Sequence, residues 1–140
     1  MIELDETLQS WLSNYLAEAG AVAGTVHLHE KGRLRLAAAK NVPPEVLEAV
    51  TWLPSGKGMA GLVLERGEVI HTRNLQEDRS GAIHPGAKAV NAQAAVTLPV
   101  QDIEGRIIAV VGVAFADERE IQAEEIDRLR TAAAAGLSTS

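Results

Sequence analysis

The chain of 140 residues contains no cysteine. That absence excludes disulfides, thiol nucleophiles, thiolate metal sites and thioether attachment of a cofactor in one step. Aromatic residues are scarce, with two Trp, one Tyr and one Phe, so aliphatic side chains and many alanines must fill the core. A basic run is also missing. The net charge is -6 and, apart from the loose cluster Lys31-Gly32-Arg33-Leu34-Arg35, lysines and arginines stand singly. A nucleic-acid interface normally carries a basic patch and stacking aromatics, so no nucleic-acid partner is expected. No apolar run approaches the roughly 18 residues of a membrane span. The segment Met1-Ile2-Glu3-Leu4-Asp5 lacks the basic and apolar regions of a secretory leader. A cytoplasmic location with no membrane partner is therefore expected.

What is present suits one domain over residues 1–140, with 46% apolar residues to build a core. Leu4, Leu8, Trp11, Leu12, Tyr15 and Leu16 recur at helical spacing, which predicts a first helix over residues 4–19, stopped by Gly20. Residues 21–29 and 33–40 read as a hairpin joined through Gly32. Pro43 and Pro44 start a short helix predicted to run through residue 52, and Pro54-Ser55-Gly56 is a second break. A helix over residues 59–66 and a short strand over 69–71 follow, with Gly67 between them. Residues 72–91 lack periodicity, and connections beyond about 12–15 residues are uncommon unless they serve binding or act as a lid. The clearest strands are residues 94–100 and 107–115, the second apolar on both faces as a central strand should be. Pro99 suits an edge or bulge. A last helix is predicted from Gln122 onwards, with Ile126, Leu129, Ala133 and Leu137 on its apolar stripe. This order implies an α+β fold: an antiparallel sheet with helices packed against it.

Gly56, Gly58 and Gly61 stand at GxGxxG spacing. A dinucleotide site requires a strand directly before such glycines and an acidic residue at a strand end about 20 positions on. Here Pro54 precedes them and Glu77-Asp78 lie in irregular sequence, so Gly56, Gly58, Gly61 and Gly67 are read as shaping a loop and a closely packed helix. Lys57 is followed by Gly58, so the Walker pattern fails as well. His27 and His29 share a strand face, but no third metal ligand and no HExxH helix accompanies them. They are expected to face solvent. Asp78, Ser80 and His84 fall close together without a nucleophile-elbow context, so no catalytic residue is assigned.

The whole resembles the GAF domain family. Gly56-x-Gly58-x-x-Gly61-Leu62-Val63 with Gly67-Glu68-Val69-Ile70 is similar to that family's helix-to-third-strand segment. Thr97-Leu98-Pro99-Val100 and the run from Gly105 to Val113 resemble its central hairpin, and Ile121-Gln122-Ala123-Glu124-Glu125-Ile126 the start of its final helix. The resemblance implies a GAF-like central antiparallel sheet of five or six strands. Helices would lie on one face, and a cavity under the long connection on the other. It also implies a small-molecule sensor or regulatory domain that dimerises through its first and last helices. Candidate interface residues are Leu4, Leu8, Trp11, Leu12, Tyr15, Leu129 and Ala133. Bilin-binding and free methionine sulfoxide reductase members of the family depend on cysteines, so a covalent bilin is excluded and that activity is not expected; haem and metal are not expected either. The Asn-Lys pair and Phe-Asp-Glu of cyclic-nucleotide members are absent, Phe115 being followed by Ala116-Asp117. The side chains expected to border the cavity are His71, Asn74, Asp78, His84, Asn91, Gln93 and Thr97. A noncatalytic sensor of a small intracellular ligand is the leading expectation, and a ligand-free dimerisation or interaction module the alternative. The ligand's identity and the output domain or partner are not legible in the sequence.

Overall fold

A computed structural model describes residues 4–75 and 92–137. Helix α1 (Glu6–Ala19) leads into the hairpin β1 (Ala23–Glu30) and β2 (Arg33–Lys40). Helix α2 (Pro44–Ala49), strand β3 (Trp52–Pro54), helix α3 (Gly58–Arg66) and strand β4 (Ile70–Thr72) follow. After residues 76–91 come the hairpin β5 (Ala95–Gln101) and β6 (Ile107–Ala114), then helix α4 (Ala123–Leu137). The six strands form one antiparallel sheet in the order β3-β2-β1-β6-β5-β4. Strand β6 lies between β1 and β5, which is why its sequence is apolar on both faces.

Asp5 caps α1 by accepting the Leu8 N–H at 3.0 Å. Leu12, Tyr15 and Leu16 of α1 and Leu129 and Ala133 of α4 bury themselves on one face of the sheet, against Val26, Val96, Leu98, Val111 and Val113. Tyr15 crosses between the two helices and donates its hydroxyl to the Leu129 carbonyl at 2.9 Å. On the opposite face, α3 packs Val63 against Leu34, Leu53 and Val110. Two bulges adjust which side chains reach which face, one where Ala37 is skipped opposite Val26/His27, the other where Ile108 is skipped opposite Val100/Gln101. Pro99 pairs with Val110 of β6, while β4 reaches along β5 only as far as Thr97, so the proline stands beyond β4's edge.

Most predicted boundaries shift by one or two residues, and the second helix differs most. The second helix ends at Ala49 instead of continuing through Trp52, because residues 52–54 pair with β2 as a short strand. Pro54 disfavours helical backbone at the residue before it, and Trp52 is held instead by the Arg33 guanidinium 4.0 Å above its ring. The last helix starts at Ala123, one residue after Gln122.

Candidate functional site

A cavity of about 130 Å3 opens between the sheet face that carries Val110 and the pair α2 and α3. Its floor is a row of register partners: Thr25 on β1, Gly112 on β6 and Thr97 on β5. Gly112 makes room there. A Cβ on it would lie 2.9 Å from the Thr25 hydroxyl oxygen and 3.9 Å from that of Thr97, so the two hydroxyls straddle the space a side chain would fill. Ala23, Ala95 and Ala114 extend the floor as small residues, and Val42, Val46, Val50, Leu53, Met59 and Leu75 line the walls and rim. The surroundings are therefore apolar with a few polar groups, the arrangement expected of a small-molecule site.

His27, two residues beyond Thr25 on the same face of β1, is the third polar group. It is 2% exposed. Its Nε2 lies 2.8 Å from the Val50 carbonyl. A carbonyl can only accept, so Nε2 carries the proton and Nδ1 is left as a bare acceptor. No hydrogen-bond partner reaches this Nδ1, the one such orphan side-chain atom among the described residues. Burial lowers the imidazole pKa to about 4, only partly offset by the Val50 hydrogen bond, so the ring is neutral at ordinary pH. The expectation that His27 faces solvent is therefore corrected: the cavity face of β1 is roofed by α2, and Val50, the residue capping the end of that helix, supplies the carbonyl. His29, one step further along, is exposed and meets the Ile107 carbonyl through Nδ1 at 2.8 Å.

The other site residues expected from sequence separate. Thr97 lies in the floor, as expected. His71 pairs with Val96, whose side chain packs under α1 and α4, so strand alternation sends His71 to the face away from the cavity. There it is exposed and borders a groove with Arg73, Glu120 and Gln122. Asn74 also stays outside the cavity and donates its amide to Glu118 at 2.8 Å. Gln93 uses its backbone, accepting from the Leu75 N–H at 2.6 Å and donating to the Phe115 carbonyl at 2.8 Å, which ties both ends of the long connection to the sheet. Asp78, His84 and Asn91 lie outside the described residues. Sequence reasoning missed Thr25, His27 and the apolar wall from α2. The available signal was the pairing of Thr25 and His27 on one strand face opposite the small residues of β6.

The glycines behave as loop-shapers. Gly56, Gly58 and Gly67 have φ values of 91°, 70° and 69°, a region that favours glycine. Gly61 is needed for a different reason: a Cβ there would come within 2.6 Å of the Pro54 carbonyl oxygen. The strand before them, β3, runs antiparallel to β2, so no βαβ phosphate cradle is formed. Gly58 lines the cavity. Among the described residues, no group of three or more His, Asp or Glu is placed to hold a metal ion.

Of the proposed interface residues, Leu12, Tyr15, Leu129 and Ala133 are buried in the chain's own core. Leu8 and Trp11 are half-buried against it; Leu4 is half-buried as well. No helix among the described residues is long and apolar enough to cross a membrane.

Solved structures share this architecture. The GAF domain of an Acinetobacter phosphoenolpyruvate-protein phosphotransferase superposes with a TM-score of 0.75 at 21% identity, covering 99% of this chain and 81% of that one. The reduced form of fRMsr of Staphylococcus aureus gives 0.68 at 17% identity, with 94% and 84% covered. The type II free methionine-R-sulfoxide reductase from Thermoplasma acidophilum gives 0.64 at 14% identity, with 94% and 92% covered. At these identities the likeness is one of fold. Among curated proteins none matches the chain. A family model of the GAF domain matches residues 2–136, and the chain belongs to the GAF domain family.

Proposed function

We propose that this domain is a noncatalytic sensory or regulatory module. It takes a small molecule into the cavity above Thr25, Gly112 and Thr97 and passes occupancy on to α1 and α4. The observation that carries this reading is the cavity itself, apolar in its walls and set with three polar side chains. A ligand that binds better to one packing of the cavity walls than to another shifts the population between them, and only such differential binding transmits a signal. Catalysis is not part of the proposal. A cysteine-dependent reductase chemistry has no thiol to work with, and the described cavity sets no nucleophile beside a base. The alternative, an interaction module without ligand, draws less support because the apolar stripes of α1 and α4 face inward.

Thermal unfolding in a library of small metabolites tests the proposal. At least one compound is expected to raise the melting temperature by several degrees at saturating concentration. Ala95→Leu, which fills the floor, is expected to stay folded and to lose that response. A library without effect on either protein, or an equal response in Ala95→Leu, would sink the reading.

A further inference from the structure

We infer that the cavity selects an uncharged, single-ring-sized molecule bearing an O–H or N–H donor, and that His27 Nδ1 receives this donor. The inference rests on the ligand-binding reading of the cavity and adds the chemistry the ligand must have. Size comes first: the cavity measures about 130 Å3, and an engineered apolar cavity of about 150 Å3 is known to bind benzene. Polarity follows from the position of one proton. The Val50 carbonyl, 2.8 Å from Nε2, fixes the hydrogen on that nitrogen and leaves a lone pair on Nδ1. A buried acceptor without a partner is costly, and the cost is removed when a donor arrives.

The Thr25 and Thr97 hydroxyls adapt to either role, since each can donate or accept. His27 therefore sets the sign. A carboxylate or nitrate brought to Nδ1 would place negative charge against a lone pair, inside walls of Val46, Leu53 and Met59 that give it no solvation. Protonating the ring to welcome an anion is opposed by its burial, which keeps the imidazole neutral. An apolar molecule of the same size gains the same burial yet leaves Nδ1 unpaired. The expected order of affinity is thus donor-bearing ring, apolar ring, then anion.

Titration calorimetry with phenol, toluene, benzoate and nitrate on the full chain tests this. Phenol is expected to bind about tenfold more tightly than toluene, the ratio expected from one added hydrogen bond, and benzoate and nitrate more weakly than either. In His27→Leu the phenol-to-toluene ratio should fall to about one. His27→Phe, which keeps a planar ring without the acceptor, should show the same fall and carries the test if His27→Leu does not fold. Equal binding of phenol and toluene by the wild-type protein overturns the inference and leaves the cavity as a binding site. So does tighter binding of benzoate or nitrate, or a preference that survives in His27→Leu. If none of the four binds, the inference fails, while the ligand-binding reading stands or falls with the metabolite-library melting test.

Discussion

At the scale of single residues, His27 makes stability depend on pH. Its folded pKa, about 4, lies below the ordinary 6.5 because burial opposes the charged ring. Between those values the unfolded chain binds a proton that the folded chain does not. The contribution is therefore intact above pH 6.5 and lost progressively as pH falls towards 4. Each pH unit of separation is worth about 1.4 kcal/mol, so the full loss is about 3 kcal/mol. Urea unfolding at pH 7 and pH 4.5 should show a smaller drop in His27→Gln than in the wild-type protein; equal drops would refute the assignment. The residue's role was hidden in the sequence for a physical reason. Thr25, His27 and His29 alternate with apolar neighbours just as a solvated strand face does. Only α2, packed over the first two, turns that face into a cavity wall, while His29 lies beyond the roof and stays exposed. Gly61 was legible in kind: its close-packing role follows from the spacing, but that the neighbour is the Pro54 carbonyl required the fold.

At the scale of elements, α1 and α4 form a layer held by burial and by one polar link. Tyr15 and Trp11 stack at 4.6 Å between ring centroids, and the Tyr15 hydroxyl donates to the Leu129 carbonyl in α4. Burial raises the phenol's pKa, as removal from water should, so the hydroxyl keeps its proton to donate. Tyr15→Phe retains the ring and deletes the link, with an expected cost of about 1 kcal/mol in urea unfolding. A variant as stable as the wild type would mean the link contributes nothing net. These two helices were readable because a 3.6-residue period survives without knowledge of partners. Strand β5 was readable from its period of two, and β6 from its continuous apolar run. Strand β3 was not, since three residues around Trp52 carry no period and exist as a strand only because β2 offers an edge. The register of β4 was equally out of reach. A shift of one residue would exchange His71 with its neighbours between the two faces.

At the scale of the whole molecule, the sheet separates two compartments, the cavity and the α1–α4 layer, and it is thinnest where two glycines meet. Gly24 lines the cavity with its backbone, and a Cβ there would lie 2.8 Å from a Leu16 methyl of α1 and 2.7 Å from the Gly112 carbonyl. Gly112 in turn leaves the cavity side open between the threonine hydroxyls. Filling the cavity through Ala95→Leu should therefore change amide hydrogen exchange in α1 around Leu12 and Leu16, while the hairpin tip at Ile103 stays as it was. Unchanged exchange in α1 would show that the sheet insulates its two sides. The glycine pair thus makes this stretch of sheet a diaphragm of bare main chain, with the cavity on one side and a helix resting on the other. A single methyl at Gly24 would have to displace the Gly112 carbonyl and Leu16, so it would distort the partition without touching any ligand.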